Sequence, residues 1–226
     1  EETPPLRGWS VAVASRPARE VGGDFYDFIH LGGSRWGLVM ADVSDKGVPA
    51  ALFMALCRTV VRAVAVEGRP PAATLARAND LLVADSRSGM FVTLCYGVLD
   101  HETGEFLFAS GGHNPPFWYR HAGREVVRLA CRGVALGVIE RPALEERRIV
   151  LEPGDALVVY TDGVTETFDP DERLFGEEGL REAIARGGGR PAEGILASID
   201  DATQAFARGV AQSDDYTLLV LRRDEV

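Results

Sequence analysis

Short runs of strand-forming residues, separated by tight turns, recur from Trp9 to Leu221, and helical periodicity interrupts them in only two places, each time as a pair. Strands joined by hairpins make antiparallel sheets, and helices that arrive in pairs must bury their apolar stripes against an outer sheet face. The pattern predicts an α+β fold: a four-layer α-β-β-α sandwich of two antiparallel sheets flanked by helix pairs.

Alternation at Trp9, Val11 and Val13 marks the first strand, and residues 25–31 and 35–43, joined by Gly32-Gly33-Ser34, mark the next two. Pro49 suits the first turn of a helix that continues to Glu67 and stops at Gly68 and Pro70-Pro71; a second helix covers 72–87. Strands return at 91–100, 105–110, 117–120, 125–129, 147–151 and 156–161. Helices are predicted over 177–186 and 192–208, and the strongly apolar run 216–221 reads as a last strand buried on both faces.

A chain of 226 residues with 46% hydrophobic content can bury one sizeable core, so residues 6–226 are expected to form one domain. Residues 1–5 carry two prolines and two acids with no apolar period, and read as a linker remnant of a longer protein. A membrane span needs about 20 apolar residues, and the best candidate, 48–66, is broken by Arg58 and Arg62. Cys57, Cys95 and Cys131 are odd in number and far apart, which argues for a reducing, cytoplasmic setting and against disulfides or zinc. The net charge of −10 disfavours a nucleic-acid groove, which clustered Lys and Arg would line.

The chemistry lies in where the aspartates fall. Asp24 follows Gly22-Gly23, where the backbone can approach a ligand closely, and stands just before a strand. Asp42 ends the apolar run 36–41, Asp162 ends 156–160 and is followed by Gly163, and Asp214 and Asp215 open the last strand. Carboxylates at the ends of four separate segments are what one sandwich edge needs to collect oxygen ligands around hard cations such as Mg²⁺ or Mn²⁺. Each aspartate taken singly is more commonly a turn residue. The motifs around them change that weighting.

Five segments carry a resemblance to the metal-dependent type 2C protein phosphatases, in the bacterial branch of stage II sporulation protein E and the stress-response sigma-factor regulators. They are RPAREVGGDFYD at 16–27, ADVSDKGVPAAL at 41–52, GGHNPP at 111–116, YTDGVTE at 160–166 continuing to Leu174-Phe175-Gly176, and DDYTLLVL at 214–221. In order, they cover nearly the whole chain. The resemblance implies the same α-β-β-α sandwich and a centre of two ions, Mn²⁺ or Mg²⁺. In it Asp42 bridges both metals, the Val43 carbonyl adds a ligand, Asp24 contacts one metal through water, and Asp162 and Asp214 complete the other site, with Asp215 the polar neighbour. Asp24, Asp42 and Asp162 are thereby the catalytic acids. The implied reaction is hydrolysis of phosphoserine or phosphothreonine in a protein: water activated by the two cations attacks phosphorus in line, and no phosphoenzyme is required. The usual substrate of this branch is a phosphorylated anti-sigma-factor antagonist of the STAS type. A sensor domain upstream is also implied, and a homodimer is left open. Two departures affect proton transfer and phosphate binding: Ser44 stands where eukaryotic relatives have a histidine, and Arg16 and Arg19 do not align with their phosphate-binding arginine.

Two other readings compete. A catalytically silent phosphoprotein-binding module would not need the full set of acids, and a two-metal nuclease would need a basic groove. His113 is far in sequence from every acid and reads as structural; residues 169–178 resemble a calcium loop but place Leu174 where such a loop needs glycine, and read as a flexible acidic flap. Leu52, Phe53, Leu56, Val60 and Val64 make an apolar stripe that either packs on a sheet or meets a regulator.

Overall fold

The computed structural model describes residues 3–85 and 89–225. Their order is β1 (Trp9–Arg16), β2 (Phe25–His30), β3 (Arg35–Val43), α1 (Val48–Ala65), α2 (Pro71–Asp85), β4 (Val92–Asp100), β5 (Glu105–Gly111), β6 (Phe117–Arg120), β7 (Glu125–Arg128), β8 (Glu146–Val150), β9 (Ala156–Tyr160), α3 (Asp162–Thr165), α4 (Gly176–Gly187), α5 (Ala192–Ala207) and β10 (Tyr216–Arg223). Every strand and long helix expected from the sequence is present. The expected continuation of the second helix to Arg87 lies outside the described residues. Contacts group the chain into two compact units.

The first unit holds Arg19–His113 and Ala130–Val150. Its antiparallel sheet has the order β2-β3-β4-β5-β8. Alternation along β3 sends Val39, Ala41 and Val43 into a core with Phe53, Cys57 and Val61 of α1 and Leu75, Ala78 and Leu82 of α2. Burying each of the larger of these side chains contributes about 1.5–3 kcal/mol. By the same alternation Leu38, Met40 and Asp42 share the other face of the strand. The helix α1 starts at Gly47, whose φ of 86° suits glycine, followed by a proline in the first turn. It is apolar enough, at 18 residues and mean hydropathy 1.6, to cross a membrane by length and composition. Here one of its faces is in the sheet core, and Arg62 is bound to Asp27 of β2 at 2.9 and 2.5 Å. The stripe that packs is Ala50, Phe53, Cys57, Val61 and Val64, while Leu52 and Leu56 of the predicted stripe are exposed.

The second unit holds the described parts of residues 2–18, Asn114–Leu129 and 151–226. Its antiparallel sheet has the order β1-β10-β9-β6-β7. Phe117, Val158, Tyr160, Leu218 and Val220 form a core with Leu180 and Ile184 of α4 and Ile195 and Ile199 of α5. The strand β10 is buried from Tyr216 through Arg222, as its apolar run predicts. It pairs with β1 over the whole strand, from Trp9 opposite Arg223 to Arg16 opposite Tyr216, so that the two ends of the chain share one ladder. Pro4 and Leu6 are buried, so the chain is already packed before β1 begins. The cysteines are free thiols, with Cys57 and Cys95 buried; burial pushes both up to about 12.

Candidate metal centre

In the first unit, antiparallel pairing sets Phe25 opposite Ala41, so Asp24 and Asp42, the next residue on each strand, stand at adjoining strand ends. Gly23 lies against the other proposed ligand. A Cβ there would come within 3.0 Å of the Val43 carbonyl oxygen, closer than nearly all real contacts, so a side chain would crowd the approach to that oxygen. Both carboxylates are half-buried. After Val43 the chain turns sharply: the Ser44 amide donates to the Phe91 carbonyl and the Phe91 amide donates to the Ser44 hydroxyl, each at 2.9 Å. Ser44 thus fixes the turn that joins Asp42 to α1. Asp45 and Gly47 in that turn both have positive φ, 79° and 86°.

In the second unit, Asp162 begins α3, a four-residue helix directly after β9. Thr161 holds this start to β10: its amide donates to the Thr217 carbonyl, and its hydroxyl accepts from the Thr217 amide, both at 3.0 Å. Gly163 then packs directly on the backbone of Asp214 and Asp215, where an added Cβ would fall 2.0 Å from the Asp215 carbonyl oxygen. Asp162, Asp214 and Asp215 are therefore brought together by main-chain packing. The last two differ in environment. Asp215 is buried and its carboxylate accepts the Ala18 amide at 2.7 Å, whereas Asp214 is half-buried and its carboxylate accepts the Asp215 amide at 2.8 Å. Asp215 is thereby tied to the chain just beyond β1 and is the more buried of the two, while Asp214 is the more accessible.

Three features that the sequence left aside take definite form. His113 is buried, and its Nδ1 is 2.8 Å from the Thr93 hydroxyl; Thr93 is the cross-strand partner of Asp42. The imidazole is thus two steps from a proposed ligand, a relation visible only once β3, β4 and β5 are in register. Arg16 is committed elsewhere: its guanidinium pairs with both carboxylate oxygens of Asp200 and lies 4.2 Å from the centre of the Tyr216 ring. The Arg16 guanidinium holds the Asp200 carboxyl below the usual carboxylate range. Residues 169–178, expected to be a flexible flap, begin as a closed turn. Buried Asp169 accepts the amides of Asp171 and Arg173, both at 2.9 Å, and Phe168 bridges to Leu174.

The donors assembled within each unit are all oxygens, two carboxylates and a carbonyl in the first and carboxylates alone in the second, the chemistry that Mg²⁺ and Mn²⁺ prefer. Among the described residues, no group of three or more His, Cys, Asp or Glu stands in a metal-holding arrangement. The fit therefore rests on the kind of donors and on the two glycine contacts.

Comparison with known proteins identifies the fold and the family. The SiaA-PP2C domain of Pseudomonas aeruginosa matches with a TM-score of 0.83 at 22% identity, over 95% of this chain and 86% of that one. The fold is thus that of the PP2C class, an α+β domain of two antiparallel sheets with their helices, as the sequence pattern predicts. Among curated relatives, protein IcfG of Synechocystis sp. is 30% identical over 98% of this chain and 39% of its own length. Phosphoserine phosphatase RsbU of Bacillus subtilis is 28% identical over 98% of this chain and 65% of its own. The chain spans between about two fifths and two thirds of the length of these relatives. The family described as Stage II sporulation protein E (SpoIIE) matches residues 32–224, and the chain belongs to it.

Proposed function

We propose that residues 6–226 act as one catalytic domain, a metal-dependent serine/threonine protein phosphatase that hydrolyses phosphoserine or phosphothreonine in a partner protein. The observation that carries this reading is the retention of every expected acid at a strand end, with glycines at 23 and 163 where a side chain would crowd the ligands' backbone. RsbU, named a phosphoserine phosphatase, supplies the substrate chemistry by likeness.

Asp24, Asp42 and the Val43 carbonyl in one set, and Asp162 and Asp214 in the other, hold two divalent cations, Mn²⁺ or Mg²⁺. Such cations lower the pKa of water and neutralise phosphoryl oxygens when bound. The protein's own part is positioning. Pairing of β2 with β3 aligns Asp24 with Asp42, Ser44 fixes the turn after Val43, and Asp215 anchors the segment that carries Asp214. The substrate is a phosphorylated anti-sigma-factor antagonist of the STAS type, read by a cytoplasmic protein whose upstream sensor domain controls this one; the assembly, monomer or homodimer, is left open. These last assignments rest on the family resemblance.

The test is hydrolysis of an aryl phosphate and of a phosphoserine protein, with and without Mn²⁺, by wild type, Asp42→Asn and Asp162→Asn. The expected result is turnover that needs metal and vanishes in both variants while circular dichroism shows them folded. Turnover without metal, or wild-type rates in either variant, would overturn the proposal.

A further inference from the structure

The Gly-Gly-His turn at 111–113 is built to deliver one buried imidazole to one hydroxyl. Gly112 has a φ of 73°, and a Cβ there would sit 2.9 Å from the Ala135 amide nitrogen, so the turn is pressed against the 134–136 segment and only glycine fits. The Gly112 backbone bridges to Leu94, and Leu136 is hydrogen-bonded to Val92 in both directions, at 2.9 and 3.0 Å. The His113 amide donates to the Ser110 hydroxyl at 3.1 Å, which sets where the side chain leaves the turn. The ring is buried and its Nδ1 lies 2.8 Å from Thr93 Oγ1. Thr93 lies directly opposite Asp42 across the β3–β4 ladder. Directly opposed residues on an antiparallel pair share a face, with Cβ atoms about 4.5–5.5 Å apart.

We propose that His113 is a positioning residue for the Asp42 carboxylate, acting through Thr93. A threonine hydroxyl carries one proton and two acceptor lone pairs. With Nδ1–H of His113 donating to Thr93, the hydroxyl proton is available to Asp42 across the ladder, where it would hold that carboxylate in one rotamer. This is a partner behind a ligand, and loss of such a partner costs about 10–100-fold in metal affinity. A buried histidine that only filled space would leave that affinity unchanged. The inference rests on the proposed role of Asp42 as a ligand.

The test is Mn²⁺ binding, followed by electron paramagnetic resonance on the intact chain, for wild type, Thr93→Val, His113→Leu, the double variant and His113→Asn. Thermal melts report folding. Thr93→Val and His113→Leu are each expected to weaken Mn²⁺ about tenfold or more, and the double variant to be no weaker than the worse single one, because both break the same chain. His113→Asn, whose amide can reach the position of Nδ1, is expected to restore most of the affinity. Folded variants within twofold of wild type, or losses that multiply in the double variant, would overturn the inference. If His113→Leu does not fold, Thr93→Val with His113→Asn decides it by the same criterion. A wild type that neither binds Mn²⁺ nor hydrolyses phosphate refutes the proposed function itself; metal-binding wild type with unaffected variants refutes only the role of His113.

Discussion

Replacing Gly163 with alanine tests whether main-chain packing, and not side-chain chemistry alone, sets the Asp162–Asp214 geometry. The new Cβ would fall 2.0 Å from the Asp215 carbonyl oxygen and 2.8 Å from its carbon. Non-bonded carbon and oxygen rest at about 3.3 Å or more, so the two segments must part by roughly 1.3 Å. Both partners are backbone, one opening α3 and one entering β10, so neither can rotate away as a flexible side chain would. Overpacking of this kind costs about 1–3 kcal/mol. For a chain of this size each kcal/mol moves the melting midpoint by about 2–4 °C, so a fall of roughly 6 °C is expected. The effect on turnover should be larger, because a displacement of about 1 Å in a catalytic arrangement can cost about 100-fold. The assay is a thermal melt and metal-dependent aryl phosphate hydrolysis, with Gly123→Ala as control, since a Cβ there meets its nearest neighbour at an ordinary 3.8 Å. Wild-type melting and wild-type kcat in Gly163→Ala would refute the reasoning.

Two further outcomes concern stability. Arg62→Met leaves the buried Asp27 carboxylate, among the described residues, to the more distant Arg58, 3.5 Å away, and should cost about 2 kcal/mol once the half-exposed position of Arg62 is discounted; a urea midpoint that does not move would sink this account of the helix–sheet clamp. Asp200→Asn tests the pair with Arg16, whose hydrogen bonds depress the Asp200 carboxyl in the folded state. A depressed carboxyl contributes stability above its unfolded value of about 4, and that contribution is lost as pH falls through the lower folded value. The variant should therefore be less stable than wild type at pH 7 and converge on it in acid, and a stability gap that persisted unchanged to pH 2 would contradict the assignment.

Element positions were readable because each depends on local pattern: the β10 run announced its two-sided burial, and the proline and glycines around α1 marked its ends. The candidate acids were readable for the same reason, each closing or opening an apolar run. What escaped depends on register. His113 lies 71 residues from Asp42 along the chain, since 113 − 42 = 71, and only the pairing of β3 with β4 and the hydrogen bond to Thr93 relate them. The helix α3 has four residues, too few for a 3.6-residue period to show. In α1 the sequence offered one apolar stripe through Leu52, Phe53, Leu56, Val60 and Val64, and periodicity alone cannot fix its rotation against the sheet; Leu52 and Leu56 turned out to be exposed, and Ala50, Cys57 and Val61 pack instead. The closed turn after Phe168 hung on Asp169 accepting two amides, a local bond that composition read as an acidic flap.

The ladder between β1 and β10 also has a mechanical meaning. Because the strands run antiparallel, Trp9 and Arg223 face each other at one end of the eight paired positions. Tension applied between the start of β1 and the end of β10 would load that first pair alone and open the ladder like a zipper, one rung at a time, instead of straining all rungs together. The same adjacency would let a short tether join the ends and new termini be cut elsewhere, a rearrangement that domains with neighbouring ends commonly tolerate.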